Sequence, residues 1–157
     1  MNKAVFLDRD GVLIKERGEY TFKIEDMQLN PGVIESLHDL SQKGYIFIVI
    51  SNQGGISKGI YTKEDADRIN DEMLKQFKKA DIHIKETYYC PHHPDVENCL
   101  CRKPQSLLIE KALARFHINP HESFFIGDSD RDIEAAGNAG VKGIKIEAND
   151  HLMHYLP

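Results

Sequence analysis

The sequence predicts an α/β fold, in which a doubly wound (Rossmann-like), mainly parallel sheet carries helices on both faces. Two observations support this. Short apolar runs alternate with segments of helical periodicity along the chain, and polar clusters directly follow several of the apolar runs. Strands are predicted over residues 4–7, 45–50, 87–89, 123–126 and 143–146. Because parallel strands end at the same edge of a sheet, the loops that follow them are expected to form the functional site.

Helical segments with recognisable boundaries lie between the predicted strands. Their apolar residues recur at intervals of three and four, which places these residues on one face of each helix. Proline, threonine, serine or aspartate stands at the starts, and glycine at two of the ends, as is common at helix boundaries. The predicted helices follow Pro31-Gly32 up to Gly44, Thr62 up to about Ala80, Pro104 onwards, and Ser129 or Asp130 up to Gly140.

Length and composition indicate one domain over residues 1–157, long enough to bury roughly 70% of the surface that the unfolded chain exposes. The formal net charge of -5 offers no basic surface for nucleic acid. The longest apolar stretch, residues 45–50, is much shorter than the about 20 residues that span a bilayer, and the chain begins without a secretion pattern. We expect a cytoplasmic protein that binds neither nucleic acid nor membrane and needs no obligate protein partner.

Acidic residues follow two of the predicted strands. Asp8 and Asp10 come after the first strand, and residues two apart in an extended chain face the same way, so their carboxylates should project together. The segment 127–132 follows a later strand and contains further aspartates. Aspartates also begin turns, so neither cluster alone establishes a site. Paired carboxylates at this edge nevertheless need a cation or a proton.

Hydroxyl and cationic residues complete this edge of the sheet. The glycine-rich segment Ser51–Gly55 follows the second strand, and Arg102-Lys103 lies in the loop after the third. A turn serine or a surface lysine is ordinary on its own. Together with two acidic clusters, however, these are the parts of a phosphoryl-transfer site, which works by positioning and by electrostatic stabilisation of the phosphoryl oxygens.

These segments resemble the four motifs of the haloacid dehalogenase superfamily of phosphatases over nearly the whole chain. The motifs are Asp8-x-Asp10-Gly11-Val12, Ile50-Ser51-Asn52, Lys103-Pro104 and Gly127-Asp128-x-x-x-Asp132. The resemblance implies that Asp8 is the nucleophile that becomes an aspartyl phosphate, and that Asp10 is the general acid and then the general base. It also implies that Ser51 and Lys103 contact the phosphoryl oxygens.

The same resemblance implies a divalent cation. A carboxylate that approaches a phosphate dianion is repelled by it, and oxygen ligands favour Mg²⁺. By similarity, the magnesium ligands are Asp8, the main-chain carbonyl of Asp10, and Asp128, with water completing the octahedron. Asp132 is expected to support these ligands by hydrogen bonding.

All three cysteines of the chain lie within residues 90–101. An odd number in one short segment argues against disulfides and for a metal. Cys90, His92, Cys99 and Cys101 offer three thiolates and one imidazole, a set suited to tetrahedral Zn²⁺ that leaves no position for water. We therefore predict a structural zinc site. The alternative is three reduced thiols and a surface histidine.

This cysteine loop resembles that of a zinc-loop subgroup of the superfamily, whose small members have no separate cap domain. The segments between the motifs are too short for such a domain, so an open pocket for a small phosphorylated metabolite is expected. The subgroup contains phosphatases of D-glycero-D-manno-heptose 1,7-bisphosphate and of histidinol phosphate. We predict removal of the C7 phosphate of the heptose. Histidinol phosphate is the alternative, because Ser129 and the residues after Pro104 depart from the heptose pattern; a zinc-stabilised domain that binds without turnover is a second alternative.

Three loops and the start of the last helix are predicted to contact the substrate. Arg17, Lys58 and Arg102 are candidates to bind a second phosphate, whereas Glu16 and Glu19 would favour the cationic amine of histidinol phosphate. The predicted substrate contacts are Glu16, Arg17, Gly18, Glu19, Asn52, Gln53, Gly54, Arg102 and Ser129.

Overall fold

A computed structural model describes residues 1–156, which form five strands and four α-helices. The strands are β1 (Lys3–Leu7), β2 (Tyr45–Asn52), β3 (Ile84–Cys90), β4 (Phe124–Gly127) and β5 (Lys142–Lys145). The helices are α1 (Val33–Gln42), α2 (Lys63–Lys79), α3 (Leu107–Arg115) and α4 (Asp130–Asn138). Short 3-10 turns occur at Ile24–Asp26, Pro120–Glu122 and Leu152–His154.

All five strands are parallel and lie in the order β3-β2-β1-β4-β5. From the central strand β1, the chain builds outward on one side through β2 and β3 and on the other through β4 and β5. This reversal beside β1 creates a crevice at the carboxyl ends of the strands, the usual position of a ligand in such sheets. The predicted doubly wound fold is confirmed, and residues 1–156 contain no separate cap domain.

Both faces of the sheet are covered by helices, as the alternation of side chains in β1 illustrates. Val5 and Leu7 belong to a core cluster that includes the inner faces of α1 and α2. Ala4 and Phe6 point the other way, into a second cluster that includes residues of α3 and α4. Because both faces are buried, the strands read as continuous apolar runs in the sequence. No helix within residues 1–156 has the length and apolar character needed to cross a membrane.

The helix boundaries match the predictions except beside the site. Thr62 caps α2 in a capping box with Asp65, and Ser129 is the N-cap of α4. The helix predicted to start at Pro104 begins at Leu107 instead. The reason lies in Gln105, whose main-chain N–H donates to the Arg102 carbonyl and whose side-chain amide donates to the Cys99 carbonyl, each at 2.8 Å. These bonds hold residues 104–106 in the turn that closes the cysteine loop.

Candidate active site

A cavity of about 530 Å³ opens at the carboxyl ends of β1, β2 and β4. Six carboxylates and four side chains that carry permanent positive charge line it. The lining residues are Asp8, Arg9, Asp10, Glu16, Gly18, Glu19, Tyr20, Thr21, Asn52, Gln53, Gly54, His93, Arg102, Lys103, Asp128, Ser129, Arg131 and Asp132. The cavity thus brings together most of the predicted site residues, from four separate parts of the chain. Arg17 and Ser51 are not among them.

Lys103 joins two carboxylates at the floor of the cavity. Its Nζ lies 3.0 Å from Oδ1 of Asp8 and 2.6 Å from Oδ1 of Asp132. It also donates to the Ile50 carbonyl at 2.9 Å. The Asn52 side chain holds the lysine backbone, accepting from its N–H at 3.0 Å and donating to its carbonyl at 3.2 Å. Both polar groups of the Asn52 amide are therefore occupied by Lys103, which makes Asn52 a support for that residue.

The electrostatics of this cluster depend on how far each group is buried. The side chain of Asp8 keeps 13% of its surface exposed, whereas Lys103 keeps only 3%. Burial raises the pKa of Asp8 well above its usual range, and Lys103 acts in the opposite direction. Burial also lowers the pKa of Lys103, but the Asp8 and Asp132 carboxylates outweigh it, so the net shift is upward. Lys103 therefore remains a fixed positive charge beside Asp8.

Asp128 faces Asp8 across the cavity floor, and its position depends on a glycine. Gly11 has a φ of 92°, a conformation that favours glycine, and a Cβ at this position would overlap the Asp128 carboxylate. Oxygen atoms of Asp8, Asp128 and Asp132 all lie within 4.8 Å of one another. Such a crowd of oxygen ligands, in a cavity where carboxylates outnumber cationic side chains, fits a hard divalent cation such as Mg²⁺.

Asp132 supports this cluster and has little capacity left for a metal. Its Oδ1 pairs with Lys103, while its Oδ2 accepts from the N–H and the hydroxyl of Ser129 at 3.3 and 3.1 Å. Both carboxylate oxygens are thus engaged within the protein. Ser129, predicted as a substrate contact, lines the cavity, but its hydroxyl donates to Asp132.

Arg9 was not predicted as a site residue, because it occupies the variable position between the two aspartates. It is 1% exposed and its guanidinium contacts the Asp10 carboxylate, with Nη2 3.1 Å from Oδ2. Gln53 also donates from Nε2 to Asp10 Oδ2, at 3.0 Å. One sequence signal was available: Asn70 lies on the buried face of α2 and accepts from Arg9 at 3.1 Å. A polar residue in an apolar stripe indicates a buried polar partner.

Two predicted phosphate-site residues occupy other positions. Ser51 is fully buried and its hydroxyl accepts from Gln53 Nε2 at 3.2 Å, so direct contact between that hydroxyl and a phosphoryl oxygen stays a prediction. The guanidinium of Arg17 lies 3.5 Å from Asp26 and 3.8 Å from Glu19, outside the cavity wall. Contact between Arg17 and the substrate stays a prediction.

The loop that follows Ile14 forms one wall of the cavity and is tied to the C-terminal part of the chain. The main-chain N–H of Glu16 donates to Asn149 Oδ1 at 2.6 Å, and Asn149 Nδ2 donates back to the Glu16 carbonyl at 2.8 Å. The N–H of Asn149 donates to the Gly11 carbonyl at 2.8 Å. Asn149 thus links the loop after Ile14 to the turn that carries Asp8 and Asp10. The sequence had offered no interpretation of the segment that follows Asn149.

Another part of the cavity wall is basic. Arg102, Arg131 and His93 line it, and Gly54 leaves space for two of them, since a Cβ there would meet Arg102 Nη1 and the His93 ring. Burial lowers the pKa of His93, and nearby cationic groups, Lys58 first among them, lower it further. Lys58 itself is not part of the wall, because its Nζ faces Asp95 at 4.0 Å. Of the predicted candidates for a second phosphate, Arg102 lines the cavity, and Arg131, which was not predicted, lines it as well.

The four predicted zinc ligands converge beside this wall. Cys90 Sγ lies 3.0 Å from Cys101 Sγ and 3.6 Å from Cys99 Sγ, and His92 Nδ1 lies 3.3 and 3.4 Å from the sulfurs of Cys90 and Cys101. A tetrahedral zinc separates its sulfur ligands by about 3.7 Å, so the cluster fits this metal after a small expansion. His93 is not part of the cluster; its Nδ1 accepts from the Asp95 N–H at 3.1 Å.

The cysteine thiols differ in how readily they ionise. Burial raises the pKa of the Cys90 thiol and that of the Cys101 thiol, so metal binding would have to displace their protons. Burial acts in the same direction on Cys99, but main-chain N–H groups in the turn at residues 101–102 outweigh it and lower the pKa of Cys99 to about 7. The other ring nitrogen of His92 lies 4.0 Å from Glu97, beyond hydrogen-bond distance.

The fold and the site define a hydrolase of the haloacid dehalogenase type. A family model described as haloacid dehalogenase-like hydrolase matches residues 10–146, and the chain belongs to this family. The predicted family is therefore confirmed.

Relatives within the family share a substrate name. A protein of Campylobacter jejuni, named D-glycero-alpha-D-manno-heptose-1,7-bisphosphate 7-phosphatase, is 40% identical over 139 residues, which cover 88% of this chain and 78% of the relative. A Haemophilus influenzae protein, named for the beta anomer, is 35% identical over 90% of this chain and 79% of its own. A crystal structure of D,D-heptose 1,7-bisphosphate phosphatase from B. bronchiseptica, complexed with magnesium and phosphate, superimposes with a TM-score of 0.87, 26% identity and coverage of 95% and 83%.

Proposed function

We propose that this protein is a magnesium-dependent phosphatase that removes the C7 phosphate of D-glycero-D-manno-heptose 1,7-bisphosphate through an aspartyl phosphate on Asp8. Asp8, Asp10, Lys103 and Asp128 converge on one cavity that is also lined by Arg102 and Arg131, and this convergence supports the proposal most strongly. The choice of substrate is supported by the names of the Campylobacter jejuni and Haemophilus influenzae relatives.

In the first step, a carboxylate oxygen of Asp8 attacks the phosphorus, and the bond between phosphorus and the ester oxygen breaks. Asp8 is suited to this role, because it is exposed to the cavity and Lys103 fixes its orientation from behind. Asp10 gives a proton to the departing ester oxygen, which leaves as an alcohol. Splitting the reaction in this way replaces one difficult displacement by two easier ones.

In the second step, a water molecule attacks the phosphorus of the aspartyl phosphate. Asp10, ionised after the first step, accepts a proton from that water. The bond between phosphorus and the Asp8 oxygen breaks, inorganic phosphate leaves and the Asp8 carboxylate is regenerated. The Asp10 side chain is 23% exposed, so it is accessible from the cavity in both steps.

Asp8, Asp128 and the main-chain carbonyl of Asp10 would hold the magnesium, and the cation would neutralise the charge of the phosphoryl group and the carboxylates. Cys90, His92, Cys99 and Cys101 would hold a structural zinc, which would fix the loop that carries Arg102 and Lys103. The cavity donors and the cysteine cluster fit these two metals as described above.

The distribution of charge across the cavity favours a bisphosphate. A substrate with one phosphate at Asp8 would place its second phosphate near Arg102 and Arg131, where guanidinium groups bind phosphate oxygens well. Glu16 and Glu19 also line the cavity and would accept hydrogen bonds from sugar hydroxyls. Histidinol phosphate has no second anionic group for the cationic wall, so we rank it below the heptose bisphosphate.

The test is a phosphate-release assay with purified protein and Mg²⁺ on both anomers of heptose 1,7-bisphosphate, on histidinol phosphate and on p-nitrophenyl phosphate. The proposal predicts kcat/KM at least 100-fold higher for one heptose anomer than for histidinol phosphate. Asp8→Asn serves as the inactive control. A preference for histidinol phosphate would overturn the substrate, and equal inertness of both proteins would favour a binding domain.

A further inference from the structure

We propose that Arg9 is a positioning residue for Asp10, and that Gln53 completes the clamp that holds the Asp10 carboxylate. This inference rests on the proposed function, since it concerns how Asp10 delivers and accepts its proton. Nothing in the general chemistry of phosphoryl transfer requires an arginine at this place.

Arg9 donates hydrogen bonds to both oxygens of the Asp10 carboxylate. Its Nε donates to Oδ2 at 3.2 Å and its Nη2 to Oδ1 at 3.3 Å. Two donors of one rigid guanidinium plane fix the plane of the carboxylate as well as its distance, which a single ammonium group could not do. The clamp therefore restricts rotation of the Asp10 side chain.

The guanidinium is itself anchored on two other elements. Nη1 donates to Asn70 Oδ1 on α2 at 3.1 Å, and Nη2 donates to Gln53 Oε1, just beyond β2, at 3.0 Å. Because Arg9 is only 1% exposed, its charge is desolvated and held by these acceptors rather than by water. The sheet and a packed helix therefore help to fix the position of Asp10, in addition to its own loop.

Gln53 adds a third donor, and its orientation is determined by its neighbours. Its Oε1 accepts from the Tyr61 hydroxyl at 2.6 Å as well as from Arg9. Two donors on the oxygen side require the amide nitrogen to face the other way, where it donates to Asp10 Oδ2 at 3.0 Å. Tyr61 is a dependable donor, because burial raises the pKa of its hydroxyl.

Asp10 and Arg9 differ in how far they are exposed, and this difference separates the catalytic residue from the positioning residue. Asp10 presents 23% of its side chain to the cavity, whereas Arg9 presents 1% and its donors point at protein acceptors. Arg9 therefore acts on the reaction through the groups that it holds, Asp10 first among them. Its loss should affect proton delivery to the leaving group, and much less the attack by Asp8.

The experiment compares two esters of nearly the same shape. Phenyl phosphate has a poor leaving group that needs a proton, and p-nitrophenyl phosphate has one that leaves without it. A shift of about 1 Å in a catalytic group costs on the order of 100-fold, so Arg9→Met is expected to lower kcat/KM for phenyl phosphate by roughly that factor. The loss for p-nitrophenyl phosphate should be at least tenfold smaller. Arg68→Met, which removes an exposed arginine from α2, is the matched control and should change neither value.

A double-variant cycle tests the route of the effect. If Arg9 acts through Asp10, adding Arg9→Met to Asp10→Asn should cost less than about threefold, since the group that it positions is already lost. Arg9→Lys keeps the charge but not the planar fork, and should recover only part of the phenyl phosphate activity. Tyr61→Phe removes only the hydroxyl that orients Gln53 and tests the clamp if Arg9 variants do not fold; it should show the same preference for p-nitrophenyl phosphate to a smaller degree.

Equal losses on both esters in an active, folded Arg9 or Tyr61 variant would overturn the inference and leave the proposed function standing. So would an undiminished effect of Arg9→Met in the Asp10→Asn background. A wild-type protein that hydrolyses neither these esters nor the heptose bisphosphate would overturn the proposed function together with the inference.

Discussion

Lys103 Nζ lies 3.0 Å from Asp8 Oδ1, and this contact joins residues that are 95 positions apart in the chain. Lys103 is held from behind by the Ile50 carbonyl and by Asp132, so its charge is fixed before any substrate arrives. Preorganised charge of this kind stabilises a transition state without reorganisation during the reaction.

Replacing Lys103 by Met should therefore damage both activity and stability. It leaves Asp8 and Asp132 buried without their counter-charge, which should reduce the free energy of unfolding by on the order of 3 kcal/mol and kcat by at least 100-fold. Urea unfolding and steady-state kinetics measure the two effects. Lys145→Met is the matched control, because the pair between Lys145 and Asp130 is exposed and should be worth less than about 1 kcal/mol. Similar destabilisation by both variants would contradict this description of Lys103.

The cysteine cluster should hold one zinc per chain. Cys101→Ser is expected to abolish tight zinc binding and to lower activity indirectly, because Arg102 and Lys103 follow this ligand directly. Zinc content measured by atomic emission checks the metal. His93→Asn is the matched control, since His93 neighbours the cluster without belonging to it and should leave the zinc content unchanged. Retention of zinc by Cys101→Ser would show that the ligand set is different.

Gly11 should tolerate no side chain. Gly11→Ala adds a Cβ that overlaps the Asp128 carboxylate, and it also places alanine at a φ of 92°. We expect activity to fall at least tenfold and the Mg²⁺ concentration for half-maximal activity to rise. Gly59→Ala separates strain from overlap, because Gly59 has a φ of 74° but no heavy atom near its Cβ position. Normal magnesium dependence in Gly11→Ala would contradict the assignment of Asp128 as a ligand.

Asn149 should matter for the substrate but not for the chemistry. Asn149→Gly keeps a residue that accepts the φ of 67° and removes both side-chain bonds to Glu16. Loss of about 1 kcal/mol of loop ordering corresponds to a roughly fivefold lower kcat/KM for the heptose bisphosphate. Hydrolysis of p-nitrophenyl phosphate, which has no sugar hydroxyls for this loop to bind, should stay within twofold. An equal decrease for both esters would place the effect in the catalytic turn instead.

The fold could be predicted from the sequence because each element leaves a pattern in it. Strands buried on both faces read as apolar runs, and helices buried on one face show apolar residues at intervals of three and four. Asp8, Asp10 and Asp128 could likewise be predicted as site residues, since they follow β1 and β4 and parallel strands end at one edge of the sheet. The zinc ligands could be predicted because all the cysteines lie in one segment. These features depend on neighbouring residues, which a sequence displays.

The missed features depend on contacts between distant residues. Arg9 looks like a spacer until α2 brings Asn70 against it, and Asn149 meets Glu16 across 133 positions. Arg17 was predicted as a substrate contact, and the sequence did not show that its guanidinium lies 3.5 Å from Asp26. Which way an exposed side chain turns is decided by its partners, and the sequence does not show those partners side by side.

The proposed function depends on covalent phosphorylation of Asp8. A crystal structure of the protein with Mg²⁺ and beryllium fluoride, which mimics a phosphoryl group on a carboxylate, tests this step. We expect a trifluoroberyllate bonded to a carboxylate oxygen of Asp8, with magnesium at Asp128 and the Asp10 main-chain carbonyl. An adduct on Asp10 or elsewhere, or none in crystals that contain the magnesium, would rule out Asp8 as the nucleophile.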